Sequence, residues 1–174
     1  MTKLLLAMIL AAGLSAAWAD ADTAPELKVD LAAVVSTGEV VPVDGMTSAG
    51  QPDEAAFGVF AKQGYTTVID LRTEGEDRGI DEPEVVEGLG MKYISVPIGR
   101  DDINLENARF LDRLLESADG PVLVHCGSGN RVGALLALKK SLDGADDDAA
   151  LTYGRAAGMT GLEQVIRARL AEQD

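Results

Sequence analysis

Two rhythms of apolar residues alternate along this chain. Short β-branched runs, the mark of strands buried on both faces, are separated by longer stretches at helical spacing. Thr66-Thr67-Val68-Ile69-Asp70-Leu71 is one such run, bounded by Gly64 and by the charged residues after Arg72. Lys92 to Val96 and Val122-Leu123-Val124 are two more. Leu27 to Val43 alternates loosely, with Val34-Val35 and Val40-Val41 around Thr37-Gly38, and predicts one or two edge strands joined by a turn. Between these runs the pattern predicts helices. The first covers about 52–62, with Pro52 in its first turn, Asp53 and Glu54 at its positive end and Gly64 as its stop. A short helix follows at Pro83 to Glu87, broken by Gly88 and Gly90. Leu105, Ala108, Leu111, Leu114, Leu115 and Ala118 share one face of the next, which Asn104 can cap and Gly120-Pro121 ends. Arg131 to Leu142 has the Ala and Leu content of a buried helix, and Asp147 to Ala156 and Gly161 to Ala171 complete the set. Asp146-Asp147-Asp148 reads as the acidic start of a helix. Strands alternating with helices imply one three-layer α/β domain: a central, mostly parallel sheet flanked by helices, with ligands bound at the carboxyl ends of the strands.

The amino-terminal pattern belongs to neither rhythm. Lys3 supplies a positive start, Leu4 to Ala17 carry no charge, and Ala17-Trp18-Ala19 has the form of a cleavage site. Residues 1–19 are therefore expected to be a signal peptide, 20–26 a flexible leader, and 27–174 the folded domain, exported to the periplasm or beyond the cell. The apolar run is shorter than the ~20 residues a spanning helix needs, so no stable membrane association is expected after cleavage. Fifteen Lys and Arg against 29 Asp and Glu give −14; without Lys3 the balance is 14 against 29, or −15. Such a surface repels nucleic acid and anionic lipid at long range, so polyanions are poor partners and no nucleic acid is expected. Among 174 residues there is one cysteine, so no internal disulfide can form.

That cysteine sits where the chemistry is expected. A strand ends in His125-Cys126, passes through Gly127-Ser128-Gly129-Asn130, and becomes a helix at Arg131. Strand, glycine loop and helix make an anion cradle, because glycines let successive N–H groups point inward and the helix's positive end faces the bound charge. The same dipoles, with a neighbouring arginine, favour thiolate over thiol and make Cys126 a candidate nucleophile. Arg131 adds a planar fork able to grip two oxygens of an oxyanion. His125 is the only histidine; adjacent strand residues point to opposite faces, so a buried supporting ring that hydrogen-bonds the loop backbone is expected rather than a base. Arg72 and Arg100 follow strand ends, where they would add local positive potential.

His125-Cys126-x-x-Gly129-x-Arg131, together with Val68-Ile69-Asp70-Leu71-Arg72 and Ala49-Gly50-Gln51-Pro52, resembles the phosphatase-like domain of beta-lactamase-hydrolase-like proteins, itself similar in fold to dual-specificity tyrosine phosphatases. The resemblance runs over about Gly45 to Leu170 and includes the tail Gly154-Arg155-Ala156-Ala157-Gly158. It implies a tyrosine-phosphatase-like fold, Cys126 as nucleophile, Arg131 as the phosphate-binding arginine and Gly127 to Asn130 as the substrate-binding amides. A phosphatase also needs an acid for the leaving oxygen. Asp101 and Asp102, on the loop after Val96-Pro97-Ile98-Gly99-Arg100, are the candidates.

Two features depart from the phosphatase pattern. Four residues separate Cys126 from Arg131, where the tyrosine phosphatase loop has five; four is the spacing of rhodanese-type sulfurtransferases, whose cysteine carries a persulfide. Val132 also stands where phosphatases usually place Ser or Thr. The expectation is a metal-free, cofactor-free cysteine-dependent phosphatase-like hydrolase acting on a small phosphate ester or phosphoprotein. Sulfur transfer from a thiosulfate-like donor is the alternative, and a non-catalytic oxyanion-binding module the third.

Overall fold

The computed structural model describes residues 40–43 and 46–172. The proposed signal peptide, the leader and the Val34-Val35 segment lie outside the described residues. Five strands form one sheet in the order β1-β2-β5-β3-β4. Strand β1 (Val40–Val43) is the antiparallel edge, paired with β2 (Met46–Ala49). Strands β3 (Thr67–Asp70), β4 (Lys92–Ser95) and β5 (Val122–His125) are parallel to β2 and to one another. The carboxyl ends of β2, β3 and β5 meet in register: Ala49 and Asp70 both stand opposite His125.

Helix α1 (Glu54–Lys62) begins one cap later than its sequence suggests. Asp53 accepts a hydrogen bond from the Ala56 N–H, so Pro52 precedes the cap instead of occupying the first turn. Helix α2 (Glu82–Gly88) starts from Asp81 with a proline in its first turn, as a missing N–H permits. Helix α3 (Leu105–Glu116) is capped by Asn104, which accepts from Asn107. Helices α4 (Asn130–Leu142), α5 (Asp147–Ala156) and α6 (Glu163–Ala171) follow, with Asp146 capping α5 through the Ala149 N–H.

The sheet has a core on each face. Ile69, Leu71, Val122, Val124 and Cys126 pack with buried residues of α3, α4, α5 and α6. Val68 and Leu123 pack on the other face with Phe57, Phe60 and Val86. Strand alternation thus sends Cys126 and His125 to opposite sides: the His125 ring meets the Phe57 ring edge-on at 6.0 Å. Helix α4 is buried nearly all round, and α5 crosses it at a point where only glycine fits. A Cβ on Gly133 would stand 2.3 Å from the Met159 nitrogen, and one on Gly154 would stand 2.7 Å from the Ala137 Cβ. That close approach brings the 157–162 turn against the loop after β5. No helix among the described residues is long and apolar enough to cross a membrane.

Candidate active site

The loop from Cys126 to Arg131 is shaped by one residue in left-handed backbone. Gly129 has φ of 82°, a conformation that costs other residues about 1–2 kcal/mol. The turn aims the Gly129 N–H at the Cys126 Sγ, 3.2 Å away. Strand β2 and the residues after it hold the loop from one side: the Cys126 N–H donates to the Ala49 carbonyl at 3.3 Å and Gln51 N–H to the Gly127 carbonyl at 3.4 Å. Gly50 and Ser128 form an isolated bridge. The 157–162 turn holds it from the other. Asn130 Oδ1 accepts the N–H groups of Thr160 and Gly161, at 2.8 and 3.1 Å.

Of the four residues expected to bind substrate, Gly127, Ser128 and Gly129 form the loop proper. The Asn130 Oδ1 is committed to the 157–162 turn, and the residue lines the cleft at the start of α4. Cys126 is 1% exposed, at the amino-terminal end of α4. Arg131 reaches the carboxyl ends of the strands, where Nη1 donates to the Ile98 carbonyl at 3.1 Å and weakly to Leu71 at 3.4 Å.

Arg131 has a partner that sequence analysis did not find. Glu76 takes its fork in a bidentate pair, Nη1 to Oε1 at 2.6 Å and Nη2 to Oε2 at 2.5 Å. Thr73 steadies the carboxylate with its N–H at 2.8 Å and its hydroxyl at 3.1 Å. The hydrogen bonds from Arg131 outweigh partial burial and, with those from Thr73, hold the Glu76 carboxyl at about 2. The same contact raises Arg131 above the ordinary arginine value, against burial and with help from the nearby Cys126 sulfur. Glu76 stands in a run of charges, Glu74-Gly75-Glu76-Asp77, where nothing in the sequence separates it from solvent-facing neighbours.

A shallow cleft of about 410 Å³ opens above this pair, lined by Thr73, Glu76, Gly99, Arg100, Asn130, Arg131 and Leu162. Asp101 and Asp102 are exposed on the turn that follows Arg100, and neither lines the cleft. The Asp102 carboxylate instead accepts the Gly99 N–H at 2.9 Å and so shapes the turn. Arg100 does line the cleft, as an exposed cation.

Arg72 corrects its expectation. It is fully buried and adds no surface potential. Its Nε and Nη2 grip the two oxygens of Asp70, each at 2.9 Å, and Nη2 also reaches the buried Glu82. His125 corrects its expectation as well. Its Nε2 bonds Glu82 Oε1 at 2.7 Å and not the loop backbone, while its Nδ1 has no hydrogen-bond partner. Tyr93 donates to Asp70 at 2.8 Å, and Arg78 lies 3.4 Å from the same oxygen. Burial opposes the Asp70 charge, but the Arg72 hydrogen bonds and the nearby His125 overcome it and hold the carboxyl at about 2. The same environment raises Tyr93 to about 12, through burial first, its hydrogen bond to Asp70 next and then the Asp70 charge. Asp70, Glu82 and His125 each place one possible ligand atom within 4.8 Å of the others, a set with the composition of metal ligands. The Arg72 guanidinium bonds both carboxylates and already supplies the positive charge an ion would bring. This buried network underlies the strand end from which Cys126 projects to the opposite face.

Comparison with known proteins agrees with this architecture. Residues 40–143 match the family described as beta-lactamase hydrolase-like protein, phosphatase-like domain. A beta-lactamase hydrolase-like protein of Agrobacterium fabrum is 33% identical over 103 residues, covering 57% of this chain and 24% of the relative. The matched segment thus spans about a quarter of that relative's length. Among solved structures, P. aeruginosa TpbA aligns with TM-score 0.60 at 20% identity, over 80% of this chain and 92% of its own. The core catalytic domain of the PP-IP phosphatase SIW14 from S. cerevisiae aligns with TM-score 0.58 at 18% identity, over 78% and 88%. At these identities the structural matches establish the fold, and the family match covers more than half of the sequence: the chain belongs to the phosphatase-like domain family of the beta-lactamase hydrolase-like proteins.

Proposed function

We propose that this chain is an exported, cysteine-dependent phosphatase-like hydrolase that acts on a phosphate monoester. The observation that carries the proposal is the meeting, at one strand end, of the Cys126 sulfur, the Gly129 N–H bonded to it, and the Arg131 guanidinium. In the reaction the Cys126 thiolate attacks phosphorus and the ester P–O bond breaks. The leaving oxygen takes a proton from Asp101 or Asp102, which requires their turn to close over the cleft. Water then cleaves the P–S bond and releases phosphate, restoring the thiolate. Loop N–H groups and Arg131 hold the charge that develops on the phosphoryl oxygens. Structural neighbours crystallised in complex with phosphotyrosine (TpbA) and with citrate (SIW14) support a small anionic ligand for this fold.

A second reading is favoured by the four-residue span between Cys126 and Arg131 and by the position of Asp101 and Asp102 outside the cleft lining. In it the Cys126 thiolate attacks the outer sulfur of thiosulfate, the S–S bond breaks, sulfite leaves with the bonding pair, and the persulfide passes its sulfur to an acceptor thiol. No proton is needed by the leaving sulfite.

One set of variants separates the readings. Phosphate ester hydrolysis on poor leaving groups should fall about 10²–10⁴-fold in Asp101→Asn or Asp102→Asn, and sulfur transfer should be indifferent to both. Cys126→Ser should abolish either activity. Thiosulfate sulfur transfer that survives both Asn substitutions, with no phosphatase turnover above Cys126→Ser, replaces the first reading by the second. Binding of oxyanions without either turnover leaves a non-catalytic module. Export is tested on the same protein by intact mass: the periplasmic form should begin at Asp20.

A further inference from the structure

We propose that Glu76 makes the Cys126–Arg131 site selective for singly charged tetrahedral oxyanions over doubly charged ones. The inference rests on the loop being an oxyanion site, whichever chemistry follows there. Its basis is that the strongest cation in the cleft is already paired. Both Nη atoms of Arg131 are held by Glu76, at 2.6 and 2.5 Å, and the carboxylate is itself fixed by two contacts from Thr73. A Cβ built on Gly127 would stand 3.4 Å from Glu76 Oε2 and 3.6 Å from Arg131 Nη2, so both partners crowd the first glycine of the loop. An oxyanion seated on the loop therefore has a fixed carboxylate as its neighbour.

The charges lining the cleft are Arg131, Arg100 and Glu76, which sum to one positive charge. A single negative charge on the ligand balances these side chains; a second still meets the loop N–H groups but also faces the Glu76 carboxylate, so it gains less than it would at a cradle without that carboxylate. A thiolate at Cys126 increases that bias. Like charges about 5 Å apart at the effective dielectric of a protein surface repel strongly; with the screening of an open cleft, a bias of about tenfold in affinity is expected. Glu76 is 33% exposed and lines the cleft, so its carboxylate faces a ligand that enters there. For a phosphate ester the protonated monoanion would then be the form bound, and for a sulfur donor a thiosulfonate would bind better than a doubly charged anion.

Methanesulfonate and sulfate test this cleanly, since they are tetrahedral, similar in size, and differ by one charge that does not titrate near neutrality. Their affinities are measured by calorimetry at fixed ionic strength on the wild type, Glu76→Gln, Glu76→Asp and Arg131→Ala. The wild type should prefer methanesulfonate about tenfold. Glu76→Gln should raise sulfate affinity about tenfold more than methanesulfonate affinity, Glu76→Asp should keep the wild-type preference, and Arg131→Ala should weaken both anions. A wild type that prefers sulfate overturns the inference. So does a Glu76→Gln protein in which both anions change equally or weaken together, because Glu76 would then only position Arg131. Absence of binding by either anion also overturns it. Cys126-dependent turnover measured on the same samples shows separately whether the catalytic reading stands.

Discussion

Removing the Glu82 carboxylate should destabilise the fold more than any exposed substitution. Glu82 is fully buried at the start of α2, where it accepts hydrogen bonds from Arg72 and, at 2.7 Å, from His125 Nε2. In Glu82→Ala the His125 ring loses that contact, and since its Nδ1 already has no partner, both ring nitrogens are left buried and unpaired. Arg72 keeps Asp70 but loses half of its neutralising charge. Breaking a buried ion pair on one side costs about 3–5 kcal/mol, and the orphaned ring nitrogen accounts for about 1–3 kcal/mol of that total. For a chain of this length each kcal/mol moves the melting temperature about 2–4 °C, so a loss of about 10 °C is expected. Glu82→Gln retains an acceptor facing His125 and should lose about half as much. Urea unfolding followed by circular dichroism measures both, with an unchanged denaturant slope as the sign that only stability moved. A loss below about 1 kcal/mol in Glu82→Ala, or equal losses in the two variants, would refute the reasoning, because the network would then not depend on the carboxylate.

Two further outcomes are expected. Gly133→Ala places a methyl group 2.3 Å from the Met159 nitrogen and 2.6 Å from the Gly154 carbonyl. It should cost about 3 kcal/mol in urea unfolding, at the upper end of ordinary overpacking, because the obstructing atoms are backbone; a neutral result disproves the close α4–α5 contact. Acid should also weaken the fold: the Asp70 carboxyl is depressed from 3.8 to about 2, so its stabilisation is present above the unfolded value and lost as pH falls through the folded one. The unfolding free energy from urea titration should therefore drop between about pH 4 and pH 2, by on the order of 2 kcal/mol from this group, and Asp70→Asn should flatten that limb.

Much of the framework is legible in local pattern. Val68-Ile69 and Val122-Leu123-Val124 are short apolar β-branched or aliphatic runs, and a strand covered on both faces has few other compositions available. Asn104, Asp146 and Asp53 cap helices because an Asx side chain satisfies an amide that no carbonyl can reach. Met46-Thr47-Ser48-Ala49 escaped sequence analysis as a strand. Its residues are small or polar, it lacks alternation, and it is buried because it sits between β1 and β5, with the Ser48 hydroxyl bonded to the Ala157 carbonyl at 2.7 Å. The short helix at α2 is legible from Pro83, but the burial of Glu82 beside it is not, since an acidic residue at a helix start normally faces water.

The sequence by itself determined the alternating α/β plan, the strand–glycine–helix loop and the residues Cys126 and Arg131 at its ends. Each depends on covalent order, on side-chain period or on the backbone freedom of glycine, all of which act over a few residues. Tertiary structure decided which charges are buried and who their partners are. Arg72 and Arg100 follow strand ends alike, yet one lies on the face covered by α2, between Asp70 and Glu82, and the other stands in water. Glu76 is 55 residues from Arg131 in the chain and in contact with it in the fold. Such pairings follow from strand order, in which β3 and β5 are neighbours although β4 and α3 lie between them in sequence. Local pattern carries no record of that order, and the electrostatics of the site are set by it.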